Sequence, residues 1–110
     1  MARAVTDLIV GRLLGFRMTA AIARGELPIA EGSMAKLFSS EALVRAAASL
    51  LDALGPTGVL SRGAPGAPAG GWVEHAHRHA QVTTIQAGTS EIQRTIIAER
   101  GLGLPRSPRS

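Results

Sequence analysis

Three histidines in the second half of the chain have a spacing that could support chemistry. His75 and His79 are four positions apart, so a helix would place both imidazoles on one face, at a spacing that can bind zinc. No glutamate lies between them in the order of a His-Glu-x-x-His motif, and no third ligand is evident. We therefore predict a solvated helix face and no metal site. The sequence also lacks a nucleophile elbow, a phosphate loop and a dinucleotide-binding fingerprint.

The stretch QVTTIQAGTSEIQRTIIAER, residues 81–100, predicts a helix end, a tight bend and a new helix. Gly88 gives the backbone the freedom that such a bend needs. Ser90 is the predicted N-cap of the new helix, and Gln93 would complete a capping box with it. Glu91 lies in the first turn, where the helix dipole favours a negative charge.

Composition limits the classes of function. The 110 residues suffice for one domain with a modest core. There is no cysteine, which excludes disulfides and thiolate metal sites. The net charge is +4, but the arginines are scattered and the chain has few aromatic residues. Nucleic-acid binding favours clustered cations and stacking platforms, so we expect none.

A membrane-associated protein is not expected either. No apolar run approaches the roughly 20 residues of a membrane span. Arg3 and Asp7 interrupt the apolar start of the chain, which argues against a signal peptide. The expectation is a cytoplasmic protein.

Hydrophobic periodicity predicts an all-α fold, an up-down helical bundle of three to four helices within residues 1–104. The segment SRGAPGAPAGG, residues 61–71, is predicted to be a flexible surface loop, and residues 105–110 a disordered tail. The predicted helices are Arg3 to Arg24, a helix capped by Ser33 that runs to about Leu54, Trp72 to Ile85, and the helix after the bend.

Spacing within these helices predicts further contacts. The first helix has an apolar stripe at intervals of three and four residues. Ion pairs are predicted one helical turn apart, between Arg3 and Asp7 and between Glu41 and Arg45. The stripe consists of Val5, Ile9, Leu13, Phe16 and Ala20.

The segment GTSEIQRTIIAERGLGLPR, with RHAQVTTIQ before it, resembles the C-terminal signature of the acyl-CoA dehydrogenases. The resemblance covers nearly the whole chain. It implies the family's C-terminal helical domain, FAD as cofactor, acyl-CoA thioesters as substrates and a homo- or hetero-oligomer. The family removes a proton from the carbon alpha to the thioester while hydride leaves the beta carbon for the flavin.

Site residues follow from this resemblance position by position. Thr89, Ser90 and Glu91 match positions that contact the cofactor, and Gly88 matches a position whose backbone lies beside the acyl thioester. A helix N-terminus offers free N–H groups to an anion, although Thr89 and Ser90 could also simply cap the helix. Glu91 often stands where other members have glutamine, and its charge would repel a phosphate.

The usual catalytic base is missing from the motif. In familiar members a glutamate precedes the Gly-Thr of the bend, whereas this chain has Ala87, whose methyl group cannot accept a proton. Three explanations remain open: a base on an earlier helix that would precede Met1, a partner subunit that holds the complete site, or a remnant without dehydrogenase activity. We therefore assign no catalytic residue.

Two functional hypotheses follow from these observations. In the first, the chain is the C-terminal segment of a FAD-dependent acyl-CoA dehydrogenase, an oxidoreductase by family, and is inactive in isolation. In the second, it is a non-catalytic oligomerisation or partner subunit of a hetero-oligomeric dehydrogenase, because helix faces rich in alanine and isoleucine leave apolar surface to cover.

Overall fold

The computed structural model describes residues 2–106 and contains four α-helices in that range, with no strand. The all-α prediction is therefore confirmed. Short 3-10 turns at Gly55–Val59 and Pro68–Gly71 lie between α2 and α3. The helices are α1 (Ala2–Ala23), α2 (Ile29–Leu54), α3 (Trp72–Thr83) and α4 (Ser90–Ile96), and a wide turn, Ile97–Gly101, extends the last one.

Helix α2 is the centre of the fold, because α1, α3 and α4 all pack on it. It begins earlier than predicted. The Gly32 N–H already donates to the Pro28 carbonyl at 2.8 Å, so the chain is helical before Ser33. Ser33 is buried inside the helix, and its prediction as the N-cap was wrong. Pro28 suits this helix start because it has no N–H to leave unsatisfied.

The contact between α1 and α2 combines small and large side chains. Gly11 lies in this contact, where an added Cβ would be at an ordinary van der Waals distance, 3.5 Å, from Ser39 Oγ. Throughout residues 2–106 the buried apolar side chains are all alanines, and no large side chain is completely buried. The face of α1 that is turned towards α2 carries Ala4, Asp7, Gly11, Leu14, Met18 and Ala21, at intervals of three and four residues.

The apolar stripe predicted for the first helix lies on the opposite, outward face of α1. Its large members, with Leu8 beside them, are exposed by 55 to 74 %. Helix α1 thus has two apolar faces, and the one with fewer large side chains is turned towards α2. The exposed side chains are Val5, Leu8, Ile9, Leu13 and Phe16.

The molecule exposes more surface than a compact monomer of its size. Its accessible surface is 7557 Å², against about 5,800 Å² expected for a globular protein of 11.4 kDa. The radius of gyration is 17.2 Å, compared with about 13 Å for a compact domain of this length. The excess of surface indicates helices packed side by side around α2 with few large side chains between them.

Within the described residues three ion pairs join α2 to its neighbours, and none was predicted. Arg17 Nη2 lies 3.7 Å from Glu31 Oε1 and joins α1 to α2. Arg45 Nη2 lies 3.1 Å from Asp7 Oδ2 and joins α2 to α1. Arg94 Nη2 lies 2.5 Å from Glu41 Oε1 and joins α4 to α2. The predicted pairs within single helices, Arg3 with Asp7 and Glu41 with Arg45, are therefore replaced, because partners on neighbouring helices come closer.

The Gly/Ala/Pro segment 61–71 is a series of hydrogen-bonded turns. Ala64, Ala67 and Gly70 each donate a backbone N–H to the carbonyl three residues earlier, at 3.0 to 3.1 Å. The Arg62 guanidinium lies 4.1 Å from the centre of the Trp72 ring. These contacts connect the start of the segment to the start of α3. Its flexibility stays a prediction.

The last helix ends in a wide turn near the end of the described chain. The Leu102 N–H donates to the Ile97 carbonyl at 3.1 Å, a five-residue spacing that widens the last turn. Pro105 and Arg106 have no regular structure, and Arg106 Nε lies 3.4 Å from Glu99 Oε2. The rest of the predicted tail, 107–110, lies outside the described residues.

Gly71 should be the glycine in segment 61–71 that tolerates alanine least. It has φ +81°, and an added Cβ would lie 2.4 Å from the Arg62 backbone nitrogen. We expect Gly71→Ala to lower the free energy of unfolding by about 3 kcal/mol, combining left-handed strain with overpacking. Urea unfolding followed by circular dichroism measures this.

Gly70→Ala is the matched control for this prediction. Gly70 also has a positive φ, +63°, but open space around its Cβ position, so only the conformational cost of about 1 kcal/mol remains. Equal stabilities of the two variants would contradict the close contact between Gly71 and Arg62.

Candidate functional site

The bend between α3 and α4 is built from two consecutive residues in the left-handed region. Ala87 has φ +57° and Gly88 has φ +95°. Glycine adopts such angles freely, whereas alanine does so at a cost of about 1–3 kcal/mol. Thr89 then returns to extended backbone, and α4 begins at Ser90. The predicted sharp bend at Gly88 is confirmed.

The cap of α4 lies one residue earlier than predicted. Thr89 is the N-cap, and its hydroxyl oxygen accepts the Ile92 N–H at 3.4 Å. Ser90 is the first helical residue and is buried. The prediction of a capping box between Ser90 and Gln93 was therefore wrong. The Gln93 side chain donates to the Ala87 carbonyl instead.

Lys36, on α2, reaches across to the bend. Its ammonium donates to the Gly88 carbonyl at 2.5 Å and to the Thr84 carbonyl at 3.3 Å. The Thr84 carbonyl also accepts the Ser90 N–H at 3.0 Å, which closes the bend on itself. One cation on the central helix thus connects the end of α3 with the start of α4.

Gln93 holds the bend from the other side. It is 6 % exposed, and its Nε2 donates to the Ala87 carbonyl at 3.0 Å. A Cβ on Gly88 would lie 2.7 Å from this Nε2. Gly88 is therefore needed both for its positive φ and for the room that its missing side chain leaves to the amide.

These contacts occupy the carbonyls of the bend and leave several of its amides without a partner. Within residues 2–106, the N–H groups of Ala87, Gly88 and Thr89 donate to no protein acceptor. Ala87 is exposed, and the next two residues are half-buried. Three consecutive N–H donors are therefore available to a bound molecule. Successive N–H groups in turns often form binding sites of this kind.

Glu91 places a negative charge beside these donors. The nearby Glu91 N–H and Thr89 hydroxyl lower the pKa of the Glu91 carboxyl, and the charges of Arg94 and Lys36 act in the same direction. The carboxyl is thus ionised at neutral pH, as a residue in the first turn of a helix prefers. An open depression of about 470 Å³ beside it is lined by Glu41, Arg45, Thr84, Ser90 and Arg94, among others.

The histidines are arranged differently from a metal site. The His75 and His79 rings stack with their centres 6.2 Å apart, and Trp72 meets His75 edge-on at 5.6 Å. Among the described residues, no group of three or more potential ligands is placed to hold a metal ion.

Within residues 2–106, no helix has both the length and the apolar character to cross a membrane.

The fold and the bend together define an all-α domain whose distinctive feature is a helix-bend-helix segment with free amides. A family model described as the acyl-CoA dehydrogenase C-terminal domain matches residues 1–102. The chain belongs to this family, and the resemblance noted from the sequence is confirmed.

A curated relative and solved structures agree with this assignment. The acyl-CoA dehydrogenase FadE26 of Mycobacterium tuberculosis (strain ATCC 25618 / H37Rv) is 41 % identical over 80 residues, which are 73 % of this chain and 20 % of that protein. The chain therefore matches about a fifth of the length of this relative.

Two solved complexes contain a chain with the same fold. The Tcur3481-Tcur3483 steroid ACAD superposes with a TM-score of 0.89 at 34 % identity, covering 96 % of this chain and 28 % of that chain. The ChsE4-ChsE5 complex from Mycobacterium tuberculosis superposes with a TM-score of 0.86 at 35 % identity, covering 96 % of this chain and 27 % of that chain. The chain thus spans just over a quarter of each.

The structure brings together the residues that the sequence singled out. Ala87, Gly88, Thr89, Ser90 and Glu91 all lie at the bend or in the first turn of α4. Sequence reasoning missed the side chain that holds them, which comes from α2, about 50 positions earlier in the chain. The one available signal was that Lys36 is the single lysine in a chain rich in arginine.

Thr89 should control both the start of α4 and the ionisation of Glu91. We expect Thr89→Val to cost about 1 kcal/mol of stability at neutral pH through loss of the cap. It should also raise the Glu91 pKa towards its ordinary value, because the hydroxyl donor is lost. Carboxyl titration by NMR and urea unfolding measure the two effects, with Thr89→Ser as the control that keeps the hydroxyl.

The pH dependence of stability follows from the direction of this shift. A carboxyl whose pKa is lowered by folding stabilises the protein above its unfolded pKa, and this contribution disappears as the pH falls through the folded pKa. The parent chain should therefore lose more stability on acidification than Thr89→Val. An unchanged Glu91 pKa in the variant would contradict this effect of the Thr89 hydroxyl.

Proposed function

We propose that this chain acts as the C-terminal helical part of a FAD-dependent acyl-CoA dehydrogenase and does not turn over substrate alone. The match of residues 1–102 to the family's C-terminal domain carries this proposal. Whole relatives are several times longer than this chain.

The bend fits the role that the family assigns to it. Three N–H groups, of Ala87, Gly88 and Thr89, have no acceptor among residues 2–106, so they can donate to oxygen atoms of a ligand. Lys36 and the N-terminus of α4 add positive potential, which favours an anionic nucleotide. The ionised Glu91 opposes a phosphate, so its partner would be a hydroxyl group.

On this proposal Thr89, Ser90 and Glu91 hold the FAD nucleotide, and the backbone at Gly88 lies against the acyl thioester. The flavin would supply the acceptor for the hydride from the beta carbon. Ser90 is buried and its N–H already donates to the Thr84 carbonyl, so Thr89 and Glu91 are the more accessible of the three. Glu91 is exposed and could accept a hydrogen bond from a ribose hydroxyl.

No group at the bend can act as the proton acceptor. Ala87 has no basic atom. The Glu91 carboxyl belongs to the first turn of the next helix, and its lowered pKa makes it a weaker base. The base would come from a different segment or from a partner subunit, as two of the three explanations from the sequence require.

Binding and turnover of the purified chain test this proposal. We expect FAD and octanoyl-CoA to shift the NMR amide signals of residues 87–91 weakly, and no dye reduction when both are present. Gly103→Ala changes a glycine that also has a positive φ, +69°, and open space around it, but that lies outside the bend. The ligand-induced shifts at residues 87–91 should therefore persist in Gly103→Ala.

Two results would contradict the proposal. A yellow purified chain that reduces an electron acceptor with an acyl-CoA would show that the isolated chain is a complete enzyme. Amides 87–91 that respond to neither ligand at high concentration would show that the bend is not a binding surface.

A second candidate function, an oligomerisation subunit, is favoured by the outward face of α1. Its large apolar side chains are more than half exposed, and the total surface exceeds that of a compact monomer by roughly 1,800 Å². A standard interface covers about 800 Å² per partner, so the excess is large enough for one. The occupant that we propose is a second subunit of acyl-CoA dehydrogenase fold, because two structural neighbours are described as two-protein assemblies.

Polar substitutions on this face should disrupt association without unfolding the chain. We expect the parent to be an oligomer by light scattering, and Ile9→Gln with Leu13→Gln to become monomeric with unchanged helix content, since both side chains already face outward. Val59→Gln is the control, because Val59 is exposed but lies outside α1.

A stable parent monomer would argue against this function. So would a double variant that keeps the parent's oligomeric state.

A further inference from the structure

Lys36 has a place in the fold that packing alone does not explain. Its ammonium is partly buried between α2 and the bend, where it reaches two backbone carbonyls. Burying a charge is costly unless it gains strong hydrogen bonds. A neutral side chain of similar length would fill the same space without that cost.

We propose that Lys36 is the positioning residue of the bend and aims the Thr89 N–H at the ligand. This inference rests on the proposed function. In a planar trans peptide, the carbonyl oxygen of one residue and the N–H of the next lie in one plane and point in opposite directions. By holding the Gly88 carbonyl at 2.5 Å, Lys36 therefore fixes the direction of the Thr89 N–H.

Gln93 does the same for the preceding peptide. Its Nε2 holds the Ala87 carbonyl at 3.0 Å, so the Gly88 N–H points away from Gln93. Two neighbouring peptide planes are thus set by two side chains from different helices, α2 and α4. The result is a pair of amides with fixed directions on a backbone whose glycine could otherwise rotate freely.

The second contact of Lys36 couples this orientation to the end of α3. The Thr84 carbonyl receives both the ammonium, at 3.3 Å, and the Ser90 N–H, at 3.0 Å. Without the Lys36 ammonium, the hydrogen bond from the Ser90 N–H is the remaining one of these two contacts to the Thr84 carbonyl. The Ser90 amide therefore reports whether Lys36 holds the bend.

Amide hydrogen exchange in the full chain tests the inference. Lys36→Met removes the donors and keeps the length of the side chain, whereas Lys36→Arg keeps a cationic donor. We expect Ser90 exchange to rise roughly tenfold in Lys36→Met, as the loss of a charge-assisted hydrogen bond implies, and to return towards the parent value in Lys36→Arg. Amides in the middle of α2, such as that of Ala47, should stay unchanged.

Ligand binding supplies the readout that a merely structural role would not move. With FAD as the probe, the shift of the Thr89 amide should need roughly tenfold more FAD in Lys36→Met than in the parent. Arg24→Met is the control, because Arg24 is a cation in an exposed pair with Glu26, remote from the bend in sequence, and should leave both readouts unchanged.

Two outcomes would overturn the inference: unchanged Ser90 exchange in Lys36→Met, or a rise shared equally by α2 and α4, which would mean general destabilisation. If neither FAD nor octanoyl-CoA shifts the amides of residues 87–91 in the parent chain, the proposed function fails instead. The Ser90 exchange then decides alone whether Lys36 fixes the bend.

Discussion

A core of small side chains is the constraint on which the rest of this structure depends. Such side chains bury little apolar area, whereas each fully buried large side chain would contribute about 1.5–3 kcal/mol. With only alanines in the apolar core of residues 2–106, the four helices have a small hydrophobic reserve. Polar contacts between helices consequently do much to determine how the helices are positioned against one another.

Those polar contacts converge on α2. Arg45 and Glu41 fix α1 and α4 against it through ion pairs, and Lys36 fixes the bend. Exposed ion pairs contribute little, typically below about 1 kcal/mol. The Lys36 contact differs from these ion pairs, because its ammonium is half-buried and donates to backbone carbonyls. The same helix thus determines both the packing of the bundle and the geometry of its candidate site.

Much of this architecture could be predicted from the sequence because it depends on local signals. Gly55 ends α2 and Gly88 marks the bend, since both need a positive φ. The start of α2 was missed because Ser33 resembles a cap, while Pro28 had already begun the helix. The cap of α4 was misplaced by one residue because Thr89 and Ser90 are both good caps, and only the course of the backbone distinguishes them.

The remaining errors share a different cause. Periodicity identified an apolar stripe on α1, but a helix with two apolar faces does not itself reveal which one a neighbour will cover. The partners of Asp7 and Glu41 were likewise sought one turn away, whereas the fold brings Arg45 and Arg94 to them. Contacts between residues distant in sequence depend on how α2 packs against the other helices. A local sequence pattern gives no information on this packing.

This separation of local and distant causes also bears on the missing base. The contacts that fix the bend all act on backbone carbonyls, those of Thr84, Ala87 and Gly88. None of them uses the side chain at position 87. An alanine there leaves the support of the bend in place, so the positioning of this backbone does not depend on a functional group at position 87. Under the function proposed above, the chain would present a shaped backbone to a ligand while another segment or subunit supplied the base.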